Sequence, residues 1–131
     1  MRFYILLFFT GVSIPQLNAQ TANNSLVFRE IKYDFGNIKE KDGKVTHTFI
    51  FSNTGRTPVV IENVITGCSC TAITFSKAPV KTGKQGRITV CYNPAYRKYL
   101  FSKEIDVVTN EHNNVNRIWI KGNVIPIVVP E

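Results

Sequence analysis

"KVTHTFIFSN", Lys44 to Asn53, is the stretch that decides the fold. Val45, His47, Phe49 and Phe51 alternate with Thr46, Thr48, Ile50 and Ser52. Successive side chains leave a β-strand on opposite faces, so this alternation predicts a strand with one face turned to a core. The pattern recurs toward the C-terminus. "PVVIENV" places β-branched Val59, Val60, Ile61 and Val64 close together. In "GRITVCYNP", Ile88, Val90 and Tyr92 share one face, and Arg87, Thr89 and Cys91 share the other. "FSKEIDVVTN" and "NRIWIKGNV" continue it, with Ile118 and Ile120 flanking Trp119.

Turn chemistry separates these runs. "FGN", "KDGK", "NTGRTP", "KTGKQG", "NPAY" and "NEHNN" are rich in Gly, Asn and Pro, which supply the dihedral angles that reverse a chain. No segment holds a helical period. Short strands with turns about every ten residues predict an all-β antiparallel sandwich. About seven strands are expected: one or two within 25–38, then 44–53, 58–65, 71–76, 86–93, 99–109 and 115–124. Phe49, Phe51, Ile61, Ile88, Val90 and Trp119 are expected to form much of the core, although Trp119 is out of phase with its two isoleucine neighbours.

The start of the chain has a different character. Arg2 is followed by the compact apolar run Phe3 to Ile14, short of the ~20 residues that span a bilayer. Leu17–Asn18–Ala19 has the small residue of a cleavage site. Residues 1–19 therefore read as a signal peptide, with a mature domain over 20–131 and a polar leader from Gln20 to Asn24. Removing 19 of the 131 residues leaves 112, enough for one small domain that buries roughly two thirds of its unfolded surface. The expected location is exported, periplasmic or secreted, with no transmembrane span after cleavage. Loss of Arg2 lowers the formal charge from +7 to +6. These charges are spread along the chain, which suits a solvated surface better than a nucleic-acid footprint.

All three cysteines lie in the mature part, in a compartment where disulfides persist. An odd number leaves at least one thiol unpaired within a monomer. Cys68 and Cys70 flank Ser69 at the end of an expected strand. In extended chain their Cα atoms would be ~6.6 Å apart, near the limit for a disulfide, with side chains parallel instead of converging. A bond between them needs a bend, which Gly67 makes accessible. Three readings follow: a thiol redox pair, a soft-metal clip holding copper(I), or a small packed pair at a strand end. Zinc would want four ligands, and no second cysteine pair exists. Cys91 is placed on the polar face, opposite Ile88, Val90 and Tyr92, so a local pair is favoured over a bridge to it.

The order of motifs resembles a family, the exported bacterial domain-of-unknown-function family 1573. The resemblance is carried by Phe35–Gly36, by Phe49–Ile50–Phe51–Ser52–Asn53–Thr54–Gly55, and by Cys68–Ser69–Cys70–Thr71. Pro79 with Gly83 and Gly86, and the strand Ile118–Trp119–Ile120–Lys121–Gly122, complete it. It covers nearly all of the mature chain, and the Cys-x-Cys-Thr element is its most specific part. The family usually has Gly between the cysteines, where this chain has Ser69, and Cys91 lies outside its pattern. The resemblance implies an immunoglobulin-like sandwich of the kind that serves as an interaction module, and no established activity.

Other apparent motifs fail on context. Asp34–Phe35–Gly36 lacks the phosphate loop and catalytic loop of a kinase, and reads as a strand end and turn. "TGKQGR" lacks P-loop spacing. His47 falls on an apolar face and His112 in a polar turn, and neither has an evident nucleophile beside it. One cluster remains. Lys77, Lys81, Lys84 and Arg87 surround one turn, and Arg97 and Lys98, flanked by Tyr96 and Tyr99, occupy the next loop. If both loops emerge at one end of the sandwich, they form a basic tip suited to an anionic glycan. The expected protein is thus an exported, non-enzymatic immunoglobulin-like binding or structural module, its partner an envelope component or another protein, with no cofactor. The alternative is a thiol redox or copper-binding protein acting through Cys68 and Cys70.

Overall fold

The computed structural model describes residues 24–112 and 114–128, together with Gly11. The expected signal peptide lies outside the described residues. Eight strands are present: β1 (Leu26–Phe28), β2 (Lys32–Lys39), β3 (Val45–Asn53), β4 (Ile61–Thr66), β5 (Thr71–Phe75), β6 (Gln85–Tyr92), β7 (Tyr99–Thr109) and β8 (Asn116–Ile125). They form two four-stranded sheets, in the orders β1-β3-β6-β5 and β2-β8-β7-β4. Pairing is antiparallel except between β2 and β8. The segment 25–38 therefore holds two strands, one in each sheet.

The period-two faces meet between the sheets. Phe49, Phe51, Ile88, Val90 and Tyr92 from one sheet and Ile105, Ile118, Ile120 and Val124 from the other are fully buried, with Ile61 nearly so. Trp119 is not among them. Ile118 and Ile120 take the inner face, so alternation turns Trp119 outward, where it is half-buried under the Lys32 ammonium, 5.2 Å from the ring centre. Nor does Phe35–Gly36 end a strand. β2 continues through it with a bulge between Asp34 and Asn37, where Gly36 adopts φ 69° and donates its N–H to Asp34 Oδ1 at 2.8 Å.

Buried Asn53 closes one end of the sandwich. Its Nδ2 donates to the carbonyls of Thr57 (2.9 Å) and Val80 (2.8 Å), and its Oδ1 accepts the Gly55 N–H (2.9 Å). Glycine is needed at position 86 because a Cβ there would lie 2.2 Å from Cζ of Phe51. Glu111 joins the same end to Ser25, accepting the Ser25 N–H at 3.3 Å and the Asn114 amide at 2.8 Å. Burial raises the Glu111 carboxyl, but the bonds from Ser25 and Asn114 outweigh it and hold the group below its ordinary range.

Candidate functional site

The chain changes sheets between β4 and β5. β4 ends at Thr66 beside Ile105, and β5 begins at Thr71 beside Tyr92. The four residues between them, Gly67 to Cys70, cross the edge of the sandwich, and Cys68 and Cys70 are joined in a disulfide with Cα atoms 5.2 Å apart. This separation is shorter than an extended chain allows, because the crossing is a closed turn in which the Thr71 N–H donates to the Cys68 carbonyl at 3.2 Å. The Asn93 N–H donates to the Cys70 carbonyl at 2.8 Å, anchoring the turn to the loop after β6. The Cys68 N–H reaches Thr66 Oγ1 at 3.4 Å.

The two sulfurs stand in different surroundings. Cys70 is 7% exposed and packs into the core, with its Sγ 3.7 Å from Thr71 Oγ1. Cys68 is half-buried and accepts the Cys70 N–H on its Sγ at 3.2 Å. It also lines a shallow depression of about 310 Å³ with Thr66, Gly67, Ser102 and Lys103. Glu104 and Asp106 border the same hollow, and Arg117 spans both, at 3.8 and 2.7 Å. Cys91 is free and half-buried on the outer register of β6, opposite Ala72. The depression was not legible in the sequence, since it depends on which part of β7 runs beside the crossing.

His47 and His112 are engaged with other partners. His47 stacks on Tyr33 with centroids 3.5 Å apart and pairs with Glu30, and His112 meets Glu62 at 3.2 Å. Among the described residues there is no group of three or more His, Cys, Asp or Glu arranged to hold a metal.

The basic residues do not form one tip. Lys77, Lys81 and Lys84 belong to the connection before β6, and Arg97 and Lys98 to the one after it, so the length of β6 separates them. That strand has eight residues, or roughly 25 Å. Arg87 lies on the outer face of β6 between the two groups. The far end instead gathers an apolar tip. Tyr96 is 97% exposed, Leu100 is 84% exposed, and Tyr99 stands beside them. Both tyrosines adopt left-handed backbone, φ 61° and 63°. The Tyr96 N–H is tied to Glu40 Oε2 at 3.4 Å, and exposed Ile127 and Val128 follow Ile125, which pairs with Lys39. The run Tyr99–Leu100–Phe101 carries a signal for this: period two lets only one face of three consecutive apolar residues be inward, and Phe101 takes it by stacking on Tyr92 at 4.0 Å.

A family model matches residues 26–124, the family described as proteins of unknown function, DUF1573. The chain belongs to this family. No curated protein matches it significantly. Among solved structures it is similar to a protein of unknown function from Porphyromonas gingivalis W83, with TM-score 0.64 and 14% identity over 75% of this chain and 46% of that one. It is also similar to the Vibrio cholerae VesB protease, with TM-score 0.60 and 13% identity over 77% of this chain and 32% of the protease. The YadV chaperone gives TM-score 0.50 and 12% identity, over 76% and 52%. The chain thus spans half or less of the length of the first two, and these likenesses concern the fold alone. Within DUF1573 the resemblance rests on residues that the fold now explains: Phe51 and Gly86 interlock, Asn53 and Gly55 close a turn, and Gly122 leaves room for the Phe101 ring.

Proposed function

We propose that the chain is an exported, non-enzymatic immunoglobulin-like binding module that docks through the tip formed by Tyr96, Tyr99 and Leu100. The observation carrying this reading is the left-handed backbone of the two tyrosines. Bulky side chains pay about 1–3 kcal/mol for such a conformation, which persists where surrounding structure enforces it and clusters at functional positions. Here it holds an aromatic ring fully in solvent, at Tyr96, where folding gains nothing from it. Lys39, Lys41, Arg97 and Lys98 lie at the same end of the sandwich. Flat aromatic faces with neighbouring cations suit a sugar surface bearing anionic groups, so the proposed partner is an anionic glycan of the cell envelope. The likeness to a chaperone and to part of a protease carries no activity across.

The test is retention of the mature chain on immobilised heparin, as an anionic glycan, across a salt gradient. Tyr96→Ala/Tyr99→Ala should elute at lower salt than the parent while melting at the same temperature or higher. Co-elution of the two proteins, or no retention of either, would sink the proposal.

A further inference from the structure

We infer that the Cys68–Cys70 turn is a thiol–disulfide exchange site, with Cys68 as the entry sulfur, Cys70 as the buried leaving sulfur, and an external protein dithiol as substrate. This rests on the redox reading of the cysteine pair and is independent of docking through the tip. Four observations support it. The disulfide joins residues only two apart, so it ties no strand to another. The crossing is already fixed by the bonds from Thr71 and Asn93 to the Cys68 and Cys70 carbonyls. Only Cys68 of the two opens onto a depression, whose lining carboxylates Glu104 and Asp106 are both paired with Arg117, so an incoming thiolate meets charges that are already compensated. Each sulfur has its own polar neighbour: the Cys70 N–H for Cys68 and the Thr71 hydroxyl for Cys70.

A thiolate of the dithiol attacks Cys68 Sγ, the Cys68–Cys70 bond breaks, and Cys70 leaves with the electron pair and takes up a proton. The second thiol of the substrate loses its proton and attacks the substrate sulfur of the mixed disulfide. Cys68 then leaves as a thiolate, with the Cys70 N–H donating to it, and is protonated. The substrate has become a disulfide, and the pair has gained two electrons and two protons. Attack at Cys68 is required by access, since Cys70 is enclosed.

The experiment uses the mature chain carrying Cys91→Ser, which removes the third thiol from an outer-face position. Dithiothreitol, a small dithiol, should add two hydrogens to its mass and leave its melting temperature nearly unchanged. In the same background, Cys70→Ser should form a mixed disulfide with oxidised glutathione about tenfold or more faster than Cys68→Ser, because accessibility governs exchange. Both variants must melt cooperatively, and rates measured on the reduced parent provide a control that needs no further substitution. A pair that resists dithiothreitol until the protein unfolds would defeat the redox reading itself. A pair that opens readily but traps glutathione at Cys70 would defeat only the assignment of entry and leaving sulfurs.

Discussion

Replacing Asn53 should weaken the fold more than its polar character suggests. The side chain is fully buried and makes three hydrogen bonds, donating to the Thr57 and Val80 carbonyls and accepting from the Gly55 N–H. Asn53→Ala removes all three. At about 0.5–1.5 kcal/mol each, the bonds amount to roughly 1.5–4.5 kcal/mol. The Val80 carbonyl keeps its bond from the Val59 N–H, so it is not orphaned. Thr57 is exposed, and water can replace the lost donor there. The Gly55 N–H is the group left without compensation. The expected loss is therefore ~2–4 kcal/mol, a large share of the 5–15 kcal/mol that holds a domain together. Asn53→Asp separates geometry from chemistry. Its carboxylate still accepts from Gly55 but turns an oxygen toward two carbonyls, so at neutral pH it should be at least as damaging as Ala. Acidification should recover part of the loss, because the protonated carboxyl donates to one of them. Urea unfolding with linear extrapolation measures both variants. A loss below ~1 kcal/mol for Asn53→Ala would mean that the bonds seen here are matched by water in the unfolded chain.

The remaining predictions test other parts of the framework and the start of the chain. Phe51→Ala should cost ~3–5 kcal/mol. Gly86→Ala should cost ~1–3 kcal/mol by driving its Cβ into the Phe51 ring, and adding Phe51→Leu should recover part of that, a coupling that a double-mutant cycle on denaturant midpoints would expose. Glu111→Gln should lose stability relative to the parent at pH 7. Because the native carboxyl is held below its ordinary range, that difference should begin to fade as pH falls through the ordinary glutamate value, ~4.3, and be gone below the native one. A difference that instead grew on acidification would contradict the assigned bonds. Intact mass of exported material should correspond to a chain beginning at Gln20, whereas retention of Met1 in a membrane fraction would identify an anchor.

Much of the fold was legible because alternation is a local property. The face of Phe49 and Phe51 needs only their neighbours, and all six later strand segments lie within three residues of their expected bounds. Trp119 shows the same rule holding against an expectation: two inward isoleucines fix its direction regardless of its size. What a local rule cannot supply is adjacency. The parallel pairing of β2 with β8 joins residues about 86 apart in sequence, as Asn37 and Asn123 do. The division of the lysines between the two ends of β6 likewise depends on the path of the chain through both sheets. The cysteine turn falls between these cases. Its spacing and Gly67 allowed a bend, but only the positions of β7 and of Asn93 decide which sulfur is open.

The placement of that bond also bears on what it does. Chain-entropy reasoning assigns a cross-link closing a three-residue loop about 1.6 kcal/mol, against roughly 3.5 kcal/mol for one joining this turn to Cys91. The larger gain was not geometrically remote: Cys91 is on β6, directly opposite Ala72, two residues beyond Cys70. Alternation nevertheless directs Cys91 to the outer face while Cys70 packs inward, so the two sulfurs face opposite sides of the sheet. The register that makes Val90 and Tyr92 core residues is thus also what confines the disulfide to its short loop. A bond there adds little chain entropy to the stability of the sandwich, and the backbone hydrogen bonds of the crossing, from Thr71 and Asn93, do not run through it. The proposed exchange would then change the oxidation state of the pair on a framework whose core is built from Phe51 and the inward isoleucines and whose end is closed by Asn53.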